Sequence, residues 1–307
     1  MSFSDSVREE LYSRMNDQDK KYACLYGILL YCRTFTASRI RLQSESPVFA
    51  KLIPDLFHAV FGKDVPLVLR TAERETETGM VQFVLSDPEW IARICETYRI
   101  RLEQREIYLT NLVNNSTAAF LSGVFFICGS MVEPQKEYHL EFMTPSEMLC
   151  QDLQKLLQSI QVRSGMVQRK NMYVLYLKDS AHIEDTLTFM GAQQCTLELM
   201  NIKIHKDVRN KANRIRNCDA ANIDKVVAAS AKQVEDIHLI ESVQGLESLP
   251  VDLLELAQLR LENPELSLKE LGDLLTVPIG RSGVNHRFQK IAAIAGEIRT
   301  NAIHTKF

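Results

Sequence analysis

Residues 121–130, LSGVFFICGS, decide the fold of this chain. The segment is apolar on nearly all sides, which is typical of a helix that is buried in a protein core. Ser122 and Gly123 are small residues, and the segment ends at Cys128. A similar segment, LYGILLYCR, occupies residues 25–33 and also carries a glycine and a cysteine near its end. We therefore expect the same small-residue helix twice, about one hundred residues apart.

The elements around these segments also repeat. After an opening helix at 2–15, with Ser4 or Asp5 as its cap, the first series comprises a helix at 19–33, a strand at 36–46, a helix at 46–62, strands at 65–72 and 79–86 joined across 73–79, and a helix at 87–100 capped by Asp87. The second comprises a helix at 116–131, a strand at 137–144, a helix at 145–160 opened by Thr144 and Pro145, a hairpin at 164–178, and a helix at 180–191. The shared order is α-β-α-β-β-α, or αββαββα where the strand beside the apolar helix is doubled. Such a repeat predicts two pseudo-symmetric halves, at about 15–100 and 112–195.

The strand pattern disappears after about residue 200. A helix at 251–264 is followed by a short helix at 267–275, where Ser267 and Glu270 have the spacing of a capping box. The connector TVPIG at 276–280 leads into a last long helix at 281–299. A short helix, a tight turn and a longer helix have the spacing of a helix-turn-helix, at about 266–299.

The polar side of the last helix has the chemistry of DNA recognition. Arg, Asn and Ser side chains can contact base edges and phosphates, and no acidic residue occurs from 274 to 296. The side chains predicted to contact DNA here are Arg281, Ser282, Asn285, His286 and Arg287 in the groove, with Lys290 and Lys269 beside them. The alternative is an ordinary helical hairpin with a solvated polar face.

A second basic segment lies upstream of the helix-turn-helix. Residues 203–217 carry six basic residues against Asp207 alone, a local net charge of +5 in a chain of net charge −3. Such a block favours binding of an anion. The residues predicted to contact phosphates are Arg209, Lys211, Arg214 and Arg216. The alternative is a solvated linker helix. We expect domains at 1–200 and 222–307, joined by a basic helical linker at 201–221.

Composition excludes several other classes of protein. Hydrophobic residues make up 46% and charged residues 24% of the chain, a balance typical of a folded protein. The apolar runs are shorter than a membrane span needs, and the opening residues do not resemble a secretion signal. The seven cysteines include no CxxC pair, so we expect reduced thiols and a cytoplasmic, nucleoid-associated protein. Nucleotide-binding and zinc motifs are absent from the sequence, and we expect neither a cofactor nor a metal.

The duplicated small-residue helix resembles the LAGLIDADG fold of homing endonucleases. Residues 121–129, LSGVFFICG, align with that family's nonapeptide, and residues 25–33 align more weakly. The resemblance implies that the two helices pack face to face, and it places the metal-binding acids at Cys128 and Cys32. Hard Mg²⁺ ions require carboxylates, whereas cysteine is a soft ligand. The packing part of the motif is therefore present and the catalytic part is missing.

The whole chain resembles the WhiA family of bacterial regulators. The resemblance rests on SFSDSVREEL at 2–11, FLSGVFFICGSMVEPQKEYHLEF at 120–142, VRNKANRIRNCDAANIDK at 208–225, and SLKELGDLL with RSGVNHRFQKI at 267–275 and 281–291. It implies an α+β protein in which a duplicated αββαββα domain, LAGLIDADG-like and not a nuclease, is followed by an all-α helix-turn-helix domain. The first copy of the motif is poorly matched, so we expect an irregular first half.

The resemblance also implies a function. It predicts a sequence-specific transcription regulator that binds promoter double-stranded DNA and acts in cell division, sporulation or chromosome segregation. Two alternatives remain: an active metal-dependent DNA endonuclease, and a protein-interaction scaffold whose N-terminal domain holds a protein partner while DNA binding is secondary. A membrane partner is not expected.

Overall fold

The duplicated pattern is present in the computed structural model, which describes residues 2–71, 79–112, 114 and 116–304. Helix α1 (Phe3–Ser13) precedes the first half. That half contains α2 (Gln18–Tyr31), β1 (Thr34–Thr36), β2 (Arg39–Ser44), α3 (Phe49–Phe61), β3 (Val68–Thr71), β4 (Val81–Leu85) and α4 (Pro88–Tyr98). The second half contains α5 (Thr117–Cys128), β5 (Gly129–Met131), β6 (Leu140–Thr144), α6 (Glu147–Ser159), β7 (Gly165–Arg169), β8 (Met172–Leu177) and α7 (Ser180–Met190).

Each half forms one four-stranded antiparallel sheet. The strand order is β1-β2-β4-β3 in the first half and β5-β6-β8-β7 in the second. The same order in both sheets confirms the αββαββα duplication. The expectation of an irregular first half is wrong for the described residues, because its sheet has the same topology as the second. The predicted connection at 73–79 lies outside the described residues, apart from Gly79.

Several helix and strand boundaries differ from those predicted from the sequence. The helix predicted at 116–131 ends at Cys128, and the next three residues pair with β6 as strand β5. The predicted strand at 36–46 is part of a hairpin, in which β1 pairs with β2. Ser2 caps α1 in place of Ser4 or Asp5, and Ser146 caps α6 in place of Thr144. Asp87 caps α4 as predicted and accepts hydrogen bonds from the backbone N–H groups of Glu89 and Trp90.

Two glycines bring α2 and α5 into backbone contact at the centre of this domain. A Cβ atom built on Gly123 would overlap the backbone carbonyl of Cys24. One built on Gly27 would overlap the carbonyl oxygen of Phe120 and lie 3.0 Å from the amide nitrogen of Val124. Such contacts exclude any side chain at these two positions, since real Cβ atoms do not approach other atoms this closely. The two helices are therefore locked together by the absence of side chains at matching places.

The aromatic core surrounds this helix pair. Tyr26, Tyr31, Phe120 and Phe125 are fully buried or nearly so. Tyr31 donates a hydrogen bond from its hydroxyl to the carbonyl oxygen of Leu149 at 2.8 Å, which links the first half to the second. Burying side chains of this size removes the largest apolar areas from water, so the core of the domain lies at the junction of its halves.

A long helix, α8 (Gln193–Gln244), follows α7. The Glu10 carboxylate of α1 accepts hydrogen bonds from the backbone N–H groups of Gln194 and Cys195, at 2.8 and 2.9 Å. A carboxylate at a helix N-terminus satisfies unpaired donors and opposes the helix dipole, which explains why α8 begins there. The chain divides into compact units at 1–206 and 207–307, and the division falls within α8.

The second unit is helical in its described residues. After α8 come α9 (Val251–Glu262), α10 (Leu268–Leu274) and α11 (Arg281–His304), with short 3₁₀ turns at Leu246–Ser248 and, in the first unit, at Leu109–Asn111. Its core joins the C-terminal part of α8 to the other three helices through Ile237, Ile240, Leu256, Leu271 and Val284. No helix among the described residues combines the length and the hydropathy that crossing a membrane requires.

Replacing Gly123 by Ala should destabilise the first unit by about 1–3 kcal/mol, because the added methyl group forces the two helices apart. Trp90 is the only tryptophan of the chain and lies in α4, so its fluorescence reports on this unit. Urea unfolding followed by that fluorescence measures the effect.

Gly296→Ala is the matched control, since it makes the same change in a helix where a Cβ would meet nothing within 4 Å. It should leave the Trp90 transition in place. An unchanged transition for Gly123→Ala as well would show that backbone contact does not hold the halves together.

Candidate nucleic-acid interface

The turn between α10 and α11 is held by backbone contacts. Ile279 donates a backbone hydrogen bond to the carbonyl oxygen of Gly272 at 3.1 Å. A Cβ atom on Gly272 would overlap the carbonyl oxygen of Ile279, so the connector can fold onto α10 only over a glycine. At the other end of α10 the capping box is present: the Ser267 amide donates to Glu270 at 2.8 Å, and the Glu270 amide donates to the Ser267 hydroxyl at 3.3 Å. The predicted helix-turn-helix therefore has a fixed internal geometry.

A buried arginine connects two elements of this unit. Arg260 of α9 is only 2% exposed. Its Nη1 atom donates to the carbonyl oxygens of Asn263, Pro264 and Leu266, at 3.3, 3.3 and 2.7 Å. Its guanidinium carbon lies 5.4 Å from the centre of the Phe288 ring in α11. One side chain thus joins the turn after α9 to the helix that carries the candidate interface.

Five of the seven predicted DNA-contacting side chains of the helix-turn-helix form one exposed surface on α11. Val284, Phe288 and Ile291 are buried and fix the rotation of the helix. The exposed residues that we call the α11 face are Arg281, at the start of the helix, and Ser282, Asn285, His286, Gln289 and Lys290, on the side away from the buried residues. Gln289 was missed by the sequence analysis, although its spacing of seven from Ser282 and four from Asn285 places it among them.

Arg287 and Lys269 lie elsewhere. The Nε atom of Arg287 is 3.7 Å from a carboxylate oxygen of Asp252, and its Nη1 donates to the Asp252 carbonyl oxygen at 3.3 Å. The side chain is 20% exposed and points toward α9, so the structure does not place it on the α11 face. Lys269 is exposed on α10.

The basic block divides into two parts. Lys203 forms an ion pair with Glu184 at 3.1 Å, and Lys206 donates to the carbonyl oxygen of Pro134 at 2.6 Å while lying over the Tyr138 ring. These two cations are therefore engaged within the first unit. The exposed cations that follow are Arg209, Lys211, Arg214 and Arg216. This is the part of the block that can reach the phosphates of a nucleic acid.

The two cysteines at the ends of α2 and α5 lack the chemistry of a magnesium site. Each Sγ atom donates to a carbonyl oxygen one turn earlier, Cys128 to Val124 and Cys32 to Leu29, both at 3.2 Å. Burial raises the pKa of the Cys32 thiol to about 12 and also raises the pKa of Cys128. Neutral thiols are poor ligands for hard cations. Among the described residues, no three acidic, His or Cys side chains are grouped so that they could hold a metal.

Two family models match the chain. One, described as the WhiA C-terminal HTH domain, matches residues 212–295. The other, described as the WhiA LAGLIDADG-like domain, matches residues 117–209. The first range contains the turn and the α11 face, and the second contains α5 with Cys128.

Curated relatives match over the full length. A probable cell division protein WhiA from Clostridium perfringens is 36% identical, and the match covers 98% of this chain and 99% of the relative. One from Thermoanaerobacter pseudethanolicus is 35% identical, with 99% and 100% covered. The crystal structure of full-length DUF199/WhiA from Thermotoga maritima is similar in fold, with a TM-score of 0.57 and 24% identity over 97% of this chain and 99% of that one.

Replacing Arg260 by Met should destabilise the second unit by about 2–3 kcal/mol, because three backbone carbonyls lose a buried charged donor. Urea unfolding followed by helical circular dichroism should show part of the signal lost at a lower denaturant concentration. The Trp90 fluorescence transition should not move.

Arg214→Met is the matched control, since it makes the same substitution at an exposed position. Equal transitions for the two variants would contradict the supporting role of Arg260.

Proposed function

This chain belongs to the WhiA family, and we propose that it is a sequence-specific regulator of transcription that binds promoter DNA through its helix-turn-helix and acts in cell division. The relatives named above as probable cell division proteins are the basis for the process. The exposed polar side chains of the α11 face are the observation that supports base-specific contact with DNA. A helix of this kind fits the major groove of B-form DNA, where each base pair presents its own pattern of donors and acceptors.

The side chains on the α11 face suit that task in two ways. Asn285 and Gln289 can both donate and accept hydrogen bonds, as the major-groove edge of an adenine requires with its N7 acceptor and N6 donor. Arg281 can form two hydrogen bonds with a guanine edge, and Lys290 supplies a charge for a phosphate. We propose that Arg287 acts differently from the prediction and orients α11 by its contact with Asp252.

The exposed cations of α8 support binding to phosphates. Arg209, Lys211, Arg214 and Arg216 have no acidic neighbour within residues 208–218. Contacts of this type add affinity without reading sequence, and they make binding depend on salt. They complement the base-reading role that we propose for α11.

We also propose that the LAGLIDADG-like domain does not cleave DNA. Two-metal hydrolysis needs carboxylates that hold both ions. The resemblance to the homing endonucleases assigns these carboxylates to the positions of Cys32 and Cys128, whose thiols stay protonated at neutral pH. The domain then has a role other than cleavage, and we propose that its surface can bind a protein partner.

Gln289→Ala should weaken binding of the full chain to its preferred duplex by about 1–3 kcal/mol, because one base-edge contact is lost. The preferred duplex is first obtained by selection from a random-sequence pool, and affinity is then measured by titration. Gln258→Ala is the matched control, an exposed glutamine of α9 that lies away from the α11 face. Weakening on both preferred and scrambled duplexes alike, or none at all, would contradict base reading by Gln289.

The same titration separates base contacts from phosphate contacts. Arg214→Gln should lower affinity for both duplexes and reduce the slope of log affinity against log salt by about one. An unchanged slope would remove Arg214 from the phosphate contacts and leave the role of Gln289 untouched.

A further inference from the structure

A cleft of about 680 Å³ opens where α2 and α5 end. Its wall is built from α1, from β1 and β2 with the residues that follow them, and from the junction of α5 with β5. Three arginines contribute to the wall: Arg8, Arg33 and Arg41. Hydroxyl groups are the other frequent feature, on Ser2, Ser4, Thr34, Ser44, Ser46 and Ser130. Cavities of this size commonly hold small molecules.

Arg8 reaches the cleft from outside the duplicated pattern. It belongs to α1, which precedes the first half, and its side chain is 13% exposed. Its Nη2 atom donates to the carbonyl oxygen of Gly129 at 2.7 Å, directly after Cys128. Its Nη1 atom pairs with Asp5 at 3.2 Å. The guanidinium is thereby fixed beside the position where the fold of the nucleases carries a metal-binding acid.

Arg33 and Arg41 have hydrogen-bond donors that remain available to a ligand. Arg33, exposed at the end of α2, has its Nη2 atom 3.1 Å from the Met143 sulfur, which is a weak acceptor. The Nε atom of Arg41 is buried and has no hydrogen-bond partner among the described residues, and the same holds for Nε of Arg8. Unpaired buried donors are rare in folded proteins and call for an acceptor.

The charges around the cleft favour an anion. Arg8 and Arg33 line the cleft together with Cys128. The acidic residues in the wall are Asp5, already paired with Arg8, and Glu45. The wall therefore carries three arginines and two carboxylates, and Cys128 adds a neutral thiol where the nuclease fold would add a third carboxylate.

We infer that this cleft binds a small phosphate-bearing molecule, held by Arg8, Arg33 and Arg41 and by the surrounding hydroxyls. Guanidinium groups match the geometry of phosphate oxygens, and hydroxyls complete their coordination. A free phosphate compound fits better than a DNA strand, because the three arginines line one cleft, while Asp5 and Glu45 interrupt the positive surface that an extended chain of phosphates would follow. The inference does not depend on the proposed DNA reading by α11.

The test measures binding of pyrophosphate and of inorganic phosphate to the full chain, at constant ionic strength balanced with sodium chloride. Calorimetry gives the affinity, and the shift of the Trp90 unfolding transition gives the stabilisation that binding confers. Pyrophosphate should bind to the unaltered chain and shift the transition. Arg33→Gln combined with Arg41→Gln should weaken binding at least about tenfold, which is the loss of about 1.4 kcal/mol.

Arg39→Gln is the matched control, since Arg39 lies on the same strand as Arg41 but outside the cleft wall, and it should bind as the unaltered chain does. Arg33→Gln alone keeps the test decisive if the double variant is poorly folded, because the Arg33 side chain is exposed. Two results would overturn the proposal. The first is pyrophosphate binding that is absent, or equal in all variants. The second is that a scrambled DNA duplex displaces pyrophosphate from the unaltered chain and that the arginine substitutions abolish binding of this duplex, which would assign the cleft to a DNA phosphate.

Discussion

Backbone contact between α2 and α5 is the interaction on which the N-terminal domain depends. Gly27 and Gly123 let the two helices approach until carbonyl groups of one meet the missing side chain of the other. This contact joins the two halves, and the aromatic core packs around it. It also brings the ends of both helices to one cleft. Here α5 ends at Cys128, and Arg8, Arg33 and Arg41 line the cleft beside it.

Much of the fold could be predicted from periodicity, because a helix that is apolar on all sides and a strand with alternating faces leave clear patterns. The failures have local causes. Strand β5 is only three residues long and shows too little alternation to separate it from α5. The weak first copy of the motif suggested an irregular half, yet the packing requires only that Gly27 meet α5 where Gly123 meets α2.

The orientation of a side chain in the candidate interface was predictable where it follows from helical spacing. It was not predictable where it depends on a contact with a residue far away in the sequence. The buried residues of α11 fix which polar side chains face outward, and Gln289 follows from that spacing. Arg287 meets Asp252, thirty-five residues earlier, and no local pattern signals that contact. Lys203 and Lys206 are likewise held by residues far away in the chain. The arginine cleft depends on α1, β2 and the end of α2 meeting in space, so it corresponds to no sequence motif.

We propose that the DNA-related function of this chain resides in its C-terminal helices, and that its LAGLIDADG-like domain keeps the fold without cleaving DNA. The most direct measurement incubates the full chain with supercoiled plasmid that carries the selected duplex, in the presence of Mg²⁺, and examines both mobility and strand integrity on a gel. We expect plasmid that is retarded by bound protein and that remains supercoiled once the protein is removed. Nicked or linear plasmid that disappears on chelation of Mg²⁺ would contradict it.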